Sequence, residues 1–420
     1  MRHNIYRLIL LPAVLLICSS LMAQQFRTVT GKVEDANTGS PLQYASVHLK
    51  NSTVSTVTNI EGEFSFKVPA DKLSDSLQIS YLGYTNQIVS VADFNPKRVK
   101  KIKLVPSILD IRSITVRTDD AMDLFQSAFS QKSRKLNYIG EPRGMSGFYR
   151  EIIKKGSKYL ILTEAVVDIV KQSYTSFSPD NIAIYKGRTN TNRNVEDTLF
   201  LQLQGGPVTS LNLDIVKDPF VGTDMLAATQ CYEFRMGPMM FMDDFNIYTI
   251  DFNQIPQLDE ILYRGRIYIE SQTLAIVKID FEMNLKDKPD AWKQFVRKKP
   301  DNMQIGVDWA KYQVNYKNYG NKWYLDYVRI DLRFNAKYKG KILKNKYDIT
   351  TELAITDVDN KQASKIPYSS RLRMKDILQK KVADFRDDSF WEDYNIIQPD
   401  EKIEKIINKI IRQLKKRDDN

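Results

Sequence analysis

The chain has 420 residues, of which 42% are hydrophobic, and this is enough for two or three domains that each bury a core. Its 22 Tyr and 19 Phe, with many Val, Ile and Thr, favour a mainly β (α+β) protein and exclude a disordered one. The formal charge of +11 is spread along the chain, which favours attraction to an anionic surface and argues against nucleic acid as a partner.

Residues 1–23 have the features of a secretory signal peptide. Arg2 and Arg7 precede an apolar run that is too short to span a membrane, and small residues lead to a predicted cleavage after Ala23. Cys18 leaves lipidation open, although the residue before it is bulky for a lipoprotein signal. We therefore expect an exported protein that is periplasmic, associated with the outer membrane or secreted.

Removal of this segment leaves one cysteine, Cys231, and one histidine, His48. No intrachain disulfide can then form. A zinc peptidase needs two His and a Glu at its metal, and a Ser-His-Asp hydrolase needs His beside its nucleophile, so both classes are excluded. We expect His48 to be an ordinary strand residue and Cys231 a buried structural thiol. The sequence assigns no catalytic, cofactor-binding or metal-binding residue.

Residues 27–105 predict a seven-stranded antiparallel β-sandwich, because seven short β-type runs are separated by Asn, Gly, Pro and Asp turns. The stretch contains Gly31-Lys32-Val33, Pro41-Leu42, Ala45-Ser46-Val47, Thr58 to Phe64 and Ser80 to Tyr84. In these segments it resembles the carboxypeptidase-regulatory-like (transthyretin-like, prealbumin-like) domain at the N-terminus of many Bacteroidetes envelope proteins, including outer-membrane nutrient receptors, with Asn59 where the family usually has Asp. The resemblance implies an accessory module without a catalytic role.

Residues 106–118 are predicted as a linking strand, and residues 119–398 as a second domain. The domain begins with one predicted amphipathic helix from Asp119 to Leu136, because apolar residues fall on one stripe of that segment. The stripe consists of Met122, Phe125, Phe129 and Leu136.

The clearest strand pair lies between Tyr263 and Asn284, where both halves alternate strictly between apolar and polar residues. About eight strands in sequential hairpins are predicted, and a meander of this length must curl into a curved antiparallel sheet, or half-barrel. Residues 171–230 are predicted as a long excursion that forms a lid, a rim or plain surface cover, with a short helix near Asp224 to Ala228.

The second domain resembles a domain that Bacteroidetes proteins pair with the N-terminal module. The phrases FYRE, LTEAVVDIVKQSY, KGR, LQGGP and FWEDYNII carry this likeness. The hairpin from Gly265 to Met283 also resembles lipoprotein-carrier-like half-barrels, and this implies an acyl ligand on the concave side of the sheet.

The most suggestive polar residues are Arg150, Glu151 and Glu164. In GFYREIIK, alternation places Arg150 with Phe148 and Ile152 on one face and Glu151 on the other, so each face carries a charge among apolar neighbours. A buried ion needs a partner, and Glu164 on the adjacent strand can pair with Arg150. A ligand-contacting or catalytic carboxylate is the alternative.

Residues 399–417 predict a C-terminal amphipathic helix with acids in its first turn and bases in its last. Its isoleucine stripe is expected to cover the open side of the sheet, and peripheral membrane contact of a basic helix is the alternative. The stripe consists of Ile403, Ile406, Ile407, Ile410, Ile411 and Leu414.

These features predict a non-enzymatic accessory protein of the cell envelope. Its half-barrel would bind an apolar or acyl ligand or an outer-membrane protein partner, without a cofactor, and the β-sandwich would be its accessory module. Two alternatives stay open: a glycan-active enzyme that uses carboxylates such as Glu151 and Glu164, and a purely structural scaffold.

Overall fold

The computed structural model of the chain describes residues 26–107, 118–191, 202–203, 206–219, 225–242, 245–286, 288–298, 301–340, 344–362, 365–384, 391 and 394–418. The predicted signal peptide with Cys18 and most of the predicted linking strand lie outside these ranges. Within them the chain forms an N-terminal β-sandwich and a second domain that is built on one large curved sheet.

The sandwich has the seven predicted strands in two sheets, with orders β4-β1-β7 and β3-β2-β5-β6. One pairing differs from the prediction, because β1 and β7 are parallel and the sandwich is therefore not wholly antiparallel. The strands are β1 (Phe26–Asp35), β2 (Ser46–Leu49), β3 (Ser55–Val57), β4 (Glu63–Pro69), β5 (Ser76–Ser80), β6 (Gln87–Ser90) and β7 (Lys100–Leu104).

Local sequence explains this domain well. Phe64, Phe66 and Val68 alternate inward along β4 and are buried in the core between the two sheets. Gly62 precedes them with φ of +74°, and a Cβ at that position would lie 2.5 Å from the carbonyl oxygen of Val33. The turn therefore requires glycine.

The second domain contains a 12-stranded sheet with the order β12-β14-β15-β16-β18-β19-β20-β8-β9-β10-β21, in which β13 pairs with β14. The strands β11 (Gln202–Leu203) and β17 (Val296–Lys298) form a separate pair. The sheet consists of β8 (Arg143–Lys155), β9 (Lys158–Lys171), β10 (Asn181–Thr191), β12 (Tyr232–Met236), β13 (Met240–Met242), β14 (Phe245–Gln254), β15 (Tyr263–Glu270), β16 (Ile276–Met283), β18 (Met303–Tyr319), β19 (Lys322–Tyr338), β20 (Asn345–Gln362) and β21 (Ala383–Asp384).

Two features of this sheet depart from the predicted meander. The last long strand, β20, pairs with the first one, β8, so the sheet is not a simple succession of hairpins. The predicted excursion at residues 171–230 contains β10, which pairs with β9. The register of that pair shifts between Ile184 and Lys186, and this bulge breaks the alternation that a strand prediction requires.

In the described ranges the sheets are accompanied by the helices α1 (Thr118–Phe129), α2 (Gln131–Asn137), α3 (Pro207–Asn212), α4 (Met225–Cys231) and α5 (Glu401–Asp418). The single helix predicted up to Leu136 is wrong. Ser130 ends α1 and caps α2 by accepting the backbone N–H of Ser133, so Leu136 leaves the stripe and is 59% exposed. Short 3₁₀ turns lie at Ala70–Lys72, Val91–Asp93, Ala291–Gln294, Tyr368–Ser370 and Leu378–Lys380.

The large sheet has two differently covered faces. The helix-covered face packs against α1 to α4 and forms the main hydrophobic core, which includes Phe125, Tyr138, Tyr174 and Trp323. The opposite, sandwich-covered face carries the N-terminal domain and α5.

The C-terminal helix α5 uses its predicted stripe to pack on this second face. Ile403, Ile407 and Ile411 are buried against Ile152 of β8 and Leu162 of β9. The Asp400 carboxylate accepts the backbone N–H of Ile403 at 2.8 Å and caps the helix. The predicted helix is therefore part of the folded core.

The sandwich is fastened to the second domain by hydrogen bonds as well as by apolar contact. On β3, the Ser55 hydroxyl donates to the Ile355 carbonyl and the Thr56 hydroxyl to the Ile396 carbonyl, both at 3.0 Å. Nearby, the Thr53 hydroxyl donates to the Asp357 carboxylate at 2.6 Å. These bonds fix the orientation of the two domains.

We expect Ile407→Ala to lower the free energy of unfolding by about 2 to 5 kcal/mol, because it removes a buried side chain between α5 and the sheet. Urea unfolding measures the change. The control Glu404→Ala alters an exposed residue of the same helix and should stay within about 0.5 kcal/mol of the parent protein. Equal effects of the two substitutions would contradict this packing.

Candidate functional site

A row of mostly charged side chains crosses the sandwich-covered face from the edge strand β12 to β10, the strand next to the other edge. Consecutive members are directly paired in the strand register, and arginine alternates with a carboxylate except at one glutamine. We call this the charge row. It consists of Arg235, Asp251, Arg266, Asp280, Gln313, Arg329, Glu352, Arg150, Glu164 and Arg188.

One half of the charge row is buried around Glu164, whose side chain is 0% exposed. The Arg150 Nε donates to this carboxylate at 2.9 Å, and the Arg188 Nε and Nη2 donate to it at 3.1 and 2.9 Å. The Trp391 indole donates to the same carboxylate at 3.3 Å, and Arg150 also donates to the Ile397 carbonyl at 2.8 Å. The predicted Arg150–Glu164 pair is therefore confirmed as a buried structural contact.

Sequence reasoning missed Arg188 and Trp391 as partners of Glu164. The four segments FYRE, LTEA, KGR and FWEDYNII supply Arg150, Glu164, Arg188 and Trp391, and they are far apart in the sequence. The fold brings them into one contact network, which no local pattern of the sequence indicates.

The electrostatics of this network favour the ionised carboxylate. Burial alone would raise the pKa of Glu164, but Arg150 and Arg188 together hold its pKa below the ordinary value. An unfolded glutamate titrates near pH 4.3. Because the folded pKa is lower, Glu164 stabilises the fold above about pH 4.3, and this contribution is lost as the pH falls through the folded value.

We expect Glu164→Gln to lower the free energy of unfolding at pH 7 by about 3 to 5 kcal/mol, because two buried guanidinium groups lose their counter-charge. The control Glu282→Gln breaks the more exposed pair with Arg264 and should cost less than about 1 kcal/mol. Denaturation of the two variants side by side tests the assignment, and a cost at Glu164 no larger than at Glu282 would refute it.

Glu151 lies on the opposite, helix-covered face, as alternation predicts. It is buried beside Tyr149, which donates to it at 3.4 Å, and Gln379, whose amide donates to it at 3.1 Å. In the described part of the chain no cation pairs with it. Burial raises the pKa of Glu151, against the smaller opposing effect of those two hydrogen bonds. Glu151 and Glu164 therefore face away from each other and cannot flank one glycosidic bond.

We expect Glu151→Gln to stabilise the protein increasingly as the pH rises above about 4.3. The folded pKa is raised, so the parent protein loses stability as the pH climbs from the unfolded value through the folded one, whereas the amide does not titrate. Melting temperatures of both proteins between pH 4 and 8 measure this difference. A constant difference across that range would contradict the assignment.

The other half of the charge row lines an open groove between the sandwich and the sheet. The groove has three adjoining sections of about 810, 520 and 500 Å³. The first two share Gln43, Tyr44 and Gln313, and the last two share Ser46 and Lys317, so the sections form one continuous groove. We name them the Arg266, Lys278 and His48 sections after a residue that lines each.

The Arg266 section presents paired charges and an aromatic ring. Arg266 makes a bidentate contact with Asp251, at 2.5 and 3.0 Å. Tyr44 of the sandwich stacks on Tyr327, with ring centroids 5.7 Å apart, and the Arg329 guanidinium lies 4.6 Å from the Tyr44 ring. Tyr44 has φ of +60°, which is unusual for an aromatic residue and indicates that the fold holds this ring in place.

The comparisons with known proteins bear on the sandwich and on the sheet separately. Residues 29–116 match the CarboxypepD_reg-like domain. This match covers about a fifth of the chain and confirms the expected N-terminal module. No curated protein matches the chain.

The solved structures that match are only weakly similar. A LolA-superfamily protein from Nitrosomonas europaea has a TM-score of 0.23 and 9% identity, over 58% of this chain and 97% of that one. A DUF1329 family protein from Desulfovibrio piger has a TM-score of 0.22 and 11% identity, over 57% and 92% of the two chains. Scores this low carry no argument about function.

The CarboxypepD_reg-like domain supplies His48, which lies in β2 as predicted and lines the His48 section of the groove. Cys231 is half-buried at the end of α4, so the prediction of a buried thiol is wrong. Within the described ranges, no cluster of three potential metal ligands occurs, and no helix has the length and apolar character needed to cross a membrane.

Proposed function

We propose that the protein is a non-enzymatic binding protein of the cell envelope in a Bacteroidetes-type bacterium, and that the groove between its two domains holds an extended glycan. The observation that carries the proposal is the position of the groove on a sheet face rather than at a sheet edge. Backbone groups in the middle of a sheet are already paired, so only side chains can bind the ligand there.

The side chains of the groove suit a hydroxyl-rich ligand. Guanidinium and carboxylate groups such as Arg266 and Asp280 offer donors and acceptors in fixed directions. A peptide partner would more commonly add a strand at a sheet edge. The groove therefore favours a glycan over an extended peptide or a protein partner.

Binding is favoured over glycan hydrolysis because the groove carboxylates are engaged by cations. Asp251 pairs with Arg266, Glu282 with Arg264, and Asp331 with Arg329. A carboxylate that is held in an ion pair is not available to donate a proton to a leaving group.

An acyl ligand inside the half-barrel stays a prediction. Such a ligand would have to displace packed side chains of the helix-covered face, including Phe125, Tyr138 and Tyr174. Peripheral membrane contact by α5 also stays a prediction, with only the polar side of the helix left for it, because Ile403, Ile407 and Ile411 pack on the sheet.

We expect Arg266→Ala to weaken glycan binding at least tenfold, because it removes a bidentate donor from the Arg266 section of the groove. An array of cell-wall oligosaccharides would identify a ligand for the exported chain, and calorimetric titration would give the affinities of the variants. Arg235→Ala is the matched control, since Arg235 is in the same charge row but 79% exposed and outside the groove. The proposal would be overturned if no oligosaccharide on the array bound to the protein, or if Arg266→Ala and Arg235→Ala weakened binding equally.

A further inference from the structure

We propose that the His48 section of the groove is a subsite for an oxyanion, such as a carboxylate, phosphate or sulfate group carried by the ligand. This inference rests on the proposed function and deepens it, because it assigns an acidic glycan to the groove. Among the described residues that line this section, two are lysines, Lys50 and Lys317, and none is acidic.

The section is formed by two turns that face each other across the domain boundary. One turn follows β2 in the sandwich and contains Lys50 and Asn51. The other joins β18 to β19 and contains Asn321, with Asn318 just before it at the end of β18. Amide side chains on both turns can donate hydrogen bonds to an anion that lies between them.

His48 has an unusual environment within this section. Its Nδ1 atom is buried and has no hydrogen-bond partner, and a buried polar atom in that state calls for a missing partner. Lys317 is itself buried on the opposite wall. A ligand oxygen between the two residues would accept a hydrogen bond from the imidazole and lie close to the ammonium group of the lysine.

The titration of His48 supports the same geometry. Burial is the main reason why the pKa of His48 lies well below its ordinary value, and the charge of Lys317 lowers this pKa further. Lys50 lies in the same section, and Asp326 lines the neighbouring Lys278 section. A bound oxyanion would add a negative charge beside the ring and raise its pKa again.

The protein contains only two histidines, His3 and His48, so the imidazole resonances report directly on this section. We would label the full chain with ¹³C-histidine, assign His48 with the variant His48→Gln, and titrate phosphate, sulfate and acetate against chloride at matched ionic strength. The expected result is a saturable shift of the His48 signals and a higher His48 pKa with an oxyanion than with chloride.

Two lysine variants test the position of the subsite. Lys317→Met should weaken the oxyanion response at least fivefold, whereas Lys311→Met removes a cation from the Arg266 section and should leave it unchanged. A Lys50→Met variant repeats the test from the sandwich wall if Lys317→Met fails to fold. The inference would be overturned if the His48 signals responded to oxyanions no more than to chloride. It would also be overturned if Lys317→Met and Lys311→Met had the same effect on that response.

A pair of oligosaccharides separates this inference from the proposed function. A uronate-containing oligosaccharide should bind more tightly than its neutral counterpart and should raise the His48 pKa. Equal binding of both, without a change at His48, would overturn the subsite and leave the glycan groove standing. A His48 response to free phosphate without binding of either oligosaccharide would support the subsite and count against the glycan.

Discussion

The structure depends on the requirement that charges buried on a sheet meet opposite charges on the neighbouring strands. Glu164 lies between Arg150 and Arg188, and Arg150 also lies 3.9 Å from Glu352 on the neighbouring strand. Because side chains alternate between the faces of a sheet, a slip of one residue in any of these pairings would move an ion into the main hydrophobic core. The charge row thus fixes the register of the sheet, including the closure of β20 onto β8.

The two halves of the charge row differ because one half is covered by other parts of the protein and the other half lines an open groove. Trp391 and Ile397 shield the half around Glu164, and the isoleucine stripe of α5 covers the adjacent Ile152 and Leu162. On strands β14 to β19 no helix covers the row within the described residues, and the sandwich leaves a groove above it. One half of the charge row therefore specifies the fold, and the other half leaves ordered polar groups along an open groove.

Local patterns in the sequence were enough to predict the sandwich strands, the hairpin from β15 to β16 and helix α5. They failed where a local irregularity broke the period, at the bulge beside Tyr185 and at the break at Ser130. The pair Arg150 and Glu164 was predictable because one hairpin joins them. Contacts that need distant segments, such as Arg188 and Trp391 with Glu164 or the groove at Tyr44, have no short-range signature.

The hydrogen bonds that join β3 to β20 and to the segment before α5 have a mechanical consequence. Thr53, Ser55 and Thr56 anchor the sandwich at three points, so its rotation away from the sheet would break several bonds at once. Tyr44, which stacks on Tyr327 of the sheet, is therefore a fixed wall of the groove. A wall that cannot move aside would select molecules by their cross-section, so a slender linear chain would fit beside the tyrosine ring more readily than a branched one.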